Sequence, residues 1–405
     1  MANVEIKKLY TRADREESIY QYIPFDVPAG TEGVTVEMRH DSFSSVIDLG
    51  LFDSVGFRGA SGSERNIVMV AQDRATPGYL PGTIRSGTWF VFIGLHRVDK
   101  DGTEVEVKVT LGKPNFPIEP SRPAKPILPP RRILKSESGF RWFPADFHTH
   151  SVHSDGALTL DELSALAASR GLEILAITDH NTTSHHAHLE SSSKFAGINL
   201  LAGQEVTTDS GHANSFGKHE WVDFRSATSE WLRETKERGG LLSINHPLSA
   251  PCHWRRDTPE GIPLTELWHS SWDRKSDDPI QWWESNGRAI PIGGSDFHRL
   301  DSDGLPGEPT TWVQIDTEDN EVTQGQVLDA LEKGRVAISA NPTAPVVYPF
   351  EDQIFVDGGA GCTLTTPSGA KHIIGKDIEH FPGEAGLYTL TDGESTYQAL
   401  GYKGK

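Results

Sequence analysis

Seven prolines fall within the twenty residues 113–132, KPNFPIEPSRPAKPILPPRR. Proline lacks a backbone N–H and has a fixed φ, so this run can be neither a central strand nor a helix and reads as an extended linker. Taken as 113–140, the linker divides the chain into two textures. Before it, runs such as GVTVEMRH, NIVMVAQD, GTWFVFIGLHRV and TEVEVKVTLG alternate or stay apolar between turn clusters, and no helical period appears. That pattern predicts a β-sandwich over 1–112. After it, short apolar strands alternate with helices: WFPADFH, LEILAITD, INLLAGQEV, LLSINH, LTELWH, AIPIGGSD and TTWVQI are the strand candidates. Two helices carry their own start and stop signals. Thr159 with Glu162 and Thr323 with Gln326 form capping boxes, and Gly171 and Gly334 end the helices. Strand, helix and strand repeated about seven times predicts a parallel barrel over 141–345, with short strands from 346 to 405 forming a small β appendage.

Nine potential metal ligands lie in order along the barrel region. They are His148 and His150 in DFHTH, Asp155 in SDG, His180 in ITDHN, Glu205 in GQEVTT, His212 in GHANSFG, His246 in INHP, and Asp296 with His298 in GGSDFH. Imidazole and carboxylate suit borderline and harder divalent ions, and nine ligands exceed what one ion takes. Thirteen of the 17 histidines lie between 148 and 298, so histidine is concentrated where the motifs are. His148, His180, Glu205, His246 and Asp296 each fall at or just after the end of a predicted strand, the rim where barrel enzymes keep their active sites.

Composition removes other classes. A formal net charge of −19 disfavours polyanionic partners, so neither a nucleic-acid polymer nor a membrane surface is expected. Cys252 and Cys362 are the only cysteines, which excludes a disulfide framework and a thiolate zinc cluster. The N-terminal residues have no apolar core of a signal peptide, and a cytoplasmic location is expected.

Together, HTHSVHSDGALT, ITDHN, AGQEVTT with the following GH, NHP and GGSDFH resemble the PHP (polymerase and histidinol phosphatase) superfamily over roughly 143–340. The preceding β region, with GYLPGTIRSGTWFVFIG, looks most like the CehA/McbA branch of metallohydrolases. The resemblance implies a distorted (β/α)7 barrel with a trinuclear site, and imidazole with carboxylate suits Zn, Mn and Fe alike. One ion would take His148, His150, Glu205 and Asp296. A second would share Glu205 and take His212 and His246, and a third would take Asp155, His180 and His298. The implied activity is hydrolysis of a small phosphorylated substrate by a metal-bridged hydroxide, with catalysis assigned to Glu205, Asp296, His298 and Asp179.

Asp179 is a candidate to orient an imidazole, or else a helix N-cap. Arg255, Arg256 and Arg299 are candidates for pairing with phosphate oxygens, or else surface residues, and His253 is a candidate general acid. Trp268, Trp272, Trp282 and Trp283 either stack on a substrate or pack the barrel helices. Carbamate or carboxylic ester hydrolysis at the same centre is the first alternative. An amidohydrolase is disfavoured because Glu205 stands where a carboxylated lysine would bridge. A partner- or carbohydrate-binding role for the β domain, with the barrel as scaffold, is the remaining rival.

Overall fold

The computed structural model describes residues 3–118, 120–250, 252–301 and 304–404. Two compact units make up the chain. The first comprises Met1–Ser121 together with two short segments from further along, Val152–Gly156 and Asp179–His185. The second comprises Arg122–Ser151, Ala157–Thr178 and His186–Lys405.

Eight strands build the first unit: β1 (Asn3–Tyr10), β2 (Tyr20–Val27), β3 (Gly33–Arg39), β4 (Val46–Phe52), β5 (Phe57–Ala60), β6 (Ile67–Ala71), β7 (Gly87–Arg97) and β8 (Thr103–Leu111). They form two antiparallel sheets in the orders β1-β8-β3-β6 and β2-β7-β4-β5. In β8 the residues Val105, Val107, Val109 and Leu111 are buried while Glu104 and Glu106 are exposed, the period-2 pattern of a strand with one wet face. These valines meet Ile23, Phe25, Ile47, Leu49, Trp89 and Val91 of the other sheet in one core. A short helix, α1 (Arg12–Glu17), was not anticipated; its capping box of Thr11 and Asp14 is one residue type away from the usual Glu or Gln.

The two inserted segments are tied to this sandwich by polar contacts. Arg65 donates from Nη1 to the carbonyl of Ser154 at 2.8 Å and from Nη2 to that of Val152. Gly78 donates its N–H to Ser184 Oγ at 3.0 Å, and its carbonyl accepts from Thr182 Oγ1 at 2.9 Å. A Cβ on Gly78, whose φ is +96°, would lie 2.9 Å from the carbonyl oxygen of His153, so only glycine permits the approach.

In the second unit the strands are β9 (Phe140–Asp146), β10 (Ile174–Ile177), β11 (Asn199–Thr208), β12 (Gly211–Phe216), β13 (Leu241–Ile244), β14 (Leu264–His269), β15 (Ile290–Gly294), β16 (Thr310–Asp316) and β17 (Val336–Ser339). Their hydrogen-bonded order is β15-β14-β13-β12-β11-β10-β9-β16-β17. All seven strands expected from the sequence are present. The pairs β9–β10, β10–β11, β13–β14 and β14–β15 are parallel, but β12 is antiparallel to both neighbours and β16 is antiparallel to β9. The sheet is therefore mixed. A tight turn joins β11 to β12, and the polar GHANSFG sequence gave no strand signal.

Helices α2 (Leu160–Ser169), α3 (Leu189–Ala196), α4 (Thr228–Glu237), α5 (Asp278–Ser285) and α6 (Gln324–Glu332) complete this region. Both expected capping boxes are present with reciprocal hydrogen bonds, and Gly171 and Gly334 follow their helices at φ +91° and +65°. Seven further strands follow: β18 (Val346–Phe350), β19 (Gln353–Asp357), β20 (Thr363–Thr365), β21 (Lys371–Ile373), β22 (Ile378–Pro382), β23 (Gly386–Thr391) and β24 (Tyr397–Lys403). Through β24, paired with β17, four of them continue the large sheet. Trp268 and Trp283 are buried against Ile338, Tyr397 and Leu400, with Trp272 and Trp282 packed beside them. The four tryptophans thus serve packing.

Among the described residues, 113–137 contain no helix or strand. Arginines fasten the later part of this stretch to the second unit: Arg122 to Asp161, Arg131 to Glu173, and Arg132 to Asp357. No helix of the described residues is long and apolar enough to cross a membrane.

Replacing Thr159 with Ala removes one half of the α2 capping box, and urea unfolding should show a loss of about 1 kcal/mol. An unchanged midpoint would mean that the cap contributes nothing to stability.

Candidate metal centre

Asp146, the last residue of β9, starts the site. Its buried carboxylate accepts the backbone N–H groups of His148 (3.1 Å), Ser295 (3.0 Å) and Gly307 (2.8 Å), and burial pushes its pKa up to about 6 against the pull of those bonds. The segments after β9 and β15 then run side by side. His150 donates its N–H to the carbonyl of Phe297 at 2.9 Å, and Asp296 donates its own to that of His148 at 2.8 Å. This pairing stacks the His150 and His298 rings with centroids 4.2 Å apart.

Glu205 lies within β11 rather than at its end, because the strand runs on into the β11–β12 hairpin. Register pairs Thr207 with His212 and Glu205 with Asn214, so Glu205 and His212 are diagonal neighbours on one face. The fully buried Glu205 carboxylate meets four imidazoles: His148 Nε2 at 3.1 Å, His212 Nδ1 at 3.3 Å, His246 Nε2 at 3.3 Å and His150 Nε2 at 3.6 Å. Asn245 also donates to its Oε1 at 2.8 Å. Asp296 Oδ1 lies 2.9 Å from His150 Nε2 and 3.1 Å from His148 Nε2. His246 and Asp296 hold φ of +27° and +53°, left-handed backbone that non-glycine residues adopt only when their surroundings impose it.

Glu266 and His269 of β14 belong to the same group and were missed in the sequence. Glu266 Oε1 lies 3.0 Å from His148 Nδ1, while Oε2 accepts the N–H of His246 at 2.8 Å. His269 Nε2 lies 3.2 Å from Asp296 Oδ2. Both sit near the end of LTELWH, between strands that lead to candidate ligands, but no local sequence pattern marks them. Simple alternation would put residues three apart on opposite faces, but a register shift between Glu266 and Trp268 breaks it. At Gly294, a Cβ would come within 2.4 Å of His148 Cβ and 2.5 Å of Glu266 Oε1. Glycine is what lets β15 approach so closely.

The donor set fits a divalent ion on a tautomer argument. A carboxylate only accepts, so Glu266 fixes the proton of neutral His148 on Nδ1 and leaves the Nε2 lone pair aimed at Glu205 and Asp296. His148 Nε2 and Asp296 Oδ1 are buried and, among the described residues, have no hydrogen-bond partner of proper geometry despite their 3.1 Å separation. A lone pair facing two carboxylates is stable only with a cation between them. Without an ion, a proton takes that part: burial would lower the His148 pKa, yet Glu205, Asp296 and Glu266 raise it well above the ordinary value. Burial would raise that of Asp296, yet the His148 charge and the close imidazoles of His150 and His269 hold it well below the carboxylate range.

Seven of the nine expected ligands, all but Asp155 and His180, lie in the second unit. Asp155 and His180 lie in the first, with Oδ2 and Nε2 3.6 Å apart. Beside them Asp179 accepts from Ser154 Oγ at 2.8 Å, and its Oδ2 lies 3.2 Å from His185 Nδ1. Arg256 is occupied elsewhere: it donates to the Ser226 carbonyl and to Thr228 Oγ1, and lies over the Trp231 ring. Arg255 and His253 are exposed and adjacent, with Nη1 3.2 Å from Nε2, and Arg299 is exposed.

Residues 146–247 match the family model of the PHP domain. Over 119 residues the chain is 28% identical to an uncharacterized protein of Methanocaldococcus jannaschii, spanning 27% of this chain and 70% of that one. It is 39% identical over 64 residues to a 5'-3' exoribonuclease of Haemophilus influenzae, spanning 16% of this chain and 23% of the relative. A 3',5'-nucleoside bisphosphate phosphatase of Chromobacterium violaceum is 40% identical over 74 residues, spanning 18% and 24%. The chain thus spans under a quarter of the length of the last two relatives. These matches support a PHP-type domain at the region that carries the first ligands.

Glu266→Gln keeps the shape but offers one acceptor where two N–H groups need one each. Metal affinity measured by chelator competition should fall roughly 10- to 100-fold. Unchanged affinity would show that Glu266 does not orient His148.

Proposed function

We propose that the chain is a metal-dependent phosphoesterase acting on a small phosphorylated molecule. The observation that carries this reading is the Glu205 carboxylate, buried and met by His148, His150, His212 and His246 within 3.6 Å. A carboxylate so placed suits a bridge between two ions. The first would be held by His148, His150, Glu205 and Asp296, and the second by Glu205, His212 and His246. For a third ion the family pattern supplies Asp155 and His180. Zn, Mn and Fe all suit imidazole with carboxylate. Ions in these positions activate water and offset the negative charge that builds on a transferred phosphoryl group.

The chain's own residues would do the rest. Glu266 keeps His148 Nε2 unprotonated, and His298 donates Nδ1–H to the Asp296 carbonyl at 2.7 Å, which leaves the Nε2 of its neutral ring unprotonated as well. Arg299, next to His298 and exposed, is assigned to a phosphate oxygen of the substrate. Arg256, held by Ser226, Thr228 and Trp231, is left out of that role. A distorted seven-stranded barrel and the CehA/McbA branch are part of this reading. That branch carries carbamate or carboxylic ester cleavage as its second outcome.

The test is hydrolysis of a phosphomonoester, a phosphodiester and a carboxylic ester, each before and after chelation. Chelator-sensitive cleavage of a phosphoester is the expected result. Cleavage of the carboxylic ester alone would overturn the phosphoesterase reading in favour of the ester branch. Glu205→Gln should lose the ions it bridges and reduce turnover by at least about 100-fold, a loss of roughly 3 kcal/mol in transition-state stabilisation. Retained turnover would remove Glu205 from the centre.

A further inference from the structure

His269 lies outside the ligand set suggested by the sequence motifs, yet it is buried against that set. Its ring centroid lies 5.0 Å from that of His246 and 6.2 Å from that of His148. Its atoms allow a choice between ligand and donor. The N–H of Ser271 points at Nδ1 from 3.1 Å, and Ser271 Oγ lies 2.7 Å from the same nitrogen. A backbone N–H only donates, so Nδ1 is the acceptor and the proton of the neutral ring is on Nε2. That Nε2–H then faces Asp296 Oδ2 at 3.2 Å. His148 has the opposite tautomer, since its Nδ1 faces a carboxylate.

The two oxygens of Asp296 are therefore divided. Oδ1 faces His148 Nε2 and His150 Nε2, while Oδ2 faces His269. A carboxylate left alone beside a divalent ion can bind through one oxygen or both. We infer that His269 is a positioning residue, which donates to Asp296 Oδ2 and so restricts Asp296 to coordination through Oδ1. The fold supports this on two further points. The register shift in β14 between Glu266 and Trp268 brings His269 to the same group as Glu266. Asp296 itself is held in left-handed backbone, φ +53°, a conformation that its surroundings impose. Ser271 Oγ is in turn 3.0 Å from Ser249 Oγ, a residue of the loop that follows His246, so hydrogen-bonded contacts connect that loop to Asp296.

This inference rests on the metal centre proposed above, and Co(II) separates the two. The full chain, stripped of metal and reloaded with Co(II), is compared with His269→Ala and His269→Gln, with circular dichroism as a check on folding. In His269→Ala, Asp296 gains freedom to bind through both oxygens, so the visible Co(II) absorption should weaken as coordination number rises. The number of ions per chain should stay the same, and affinity in chelator competition should fall about 10- to 100-fold. His269→Gln, which offers an amide N–H, should recover the wild-type spectrum in part.

An unchanged Co(II) spectrum and affinity in His269→Ala would overturn the role of His269 and leave the metal centre standing. Loss of one ion per chain in both variants would also overturn it, by making His269 a ligand. If the wild-type chain takes up no Co(II), the centre itself fails and the inference fails with it.

Discussion

A carboxylate with no exposed surface keeps its charge only when opposite charge or several donors are held against it. Glu205 is such a group, and much of the second unit is arranged around it. The β11–β12 hairpin sets His212 diagonally from it, β13 delivers Asn245 and His246, and the strand before the HTH motif delivers His148 and His150. Local sacrifices accompany this: left-handed backbone at His246 and Asp296, a register shift in β14, and a glycine at 294 where any side chain would strike His148. Each is unfavourable alone and is explained by convergence on a charged centre. Imidazoles held with their lone pairs inward are an unstable neighbour for carboxylates unless a cation is shared.

Much of this was legible in the sequence, because ligand chemistry has few solutions. Histidines and carboxylates at successive strand ends point to one rim, and His148, His150, Glu205, His212, His246, Asp296 and His298 do converge in one unit. Glu266 and His269 were not legible, because period-2 reasoning gives no reason for residues three apart in one strand to share a side. Nor was the direction of β12: its sequence is polar, and its burial on both faces arises from tertiary contacts rather than from apolar residues. Asp146 escaped notice for a related reason. Its role is to accept three backbone N–H groups from distant segments, and no local pattern marks such a residue.

The packing of the first unit was also beyond the sequence. Proline density implies an extended linker over 113–140, and among the described residues 113–137 contain no helix or strand. It does not reveal that 152–156 and 179–185 pack with the β-sandwich, where Arg65 holds the carbonyls of Val152 and Ser154 just before Asp155, and Gly78 holds the hydroxyls of Thr182 and Ser184 just after His180. The sandwich thereby fixes the two segments that carry these candidate ligands.

The proposed function requires that divalent ions share the Glu205 carboxylate. Anomalous diffraction from crystals grown with Mn or Zn tests it most directly, because it places each ion against named atoms. Two strong peaks are expected within coordination distance of Glu205, one also reaching His148, His150 and Asp296 and the other His212 and His246. Saturating metal with no peak at Glu205 would contradict it.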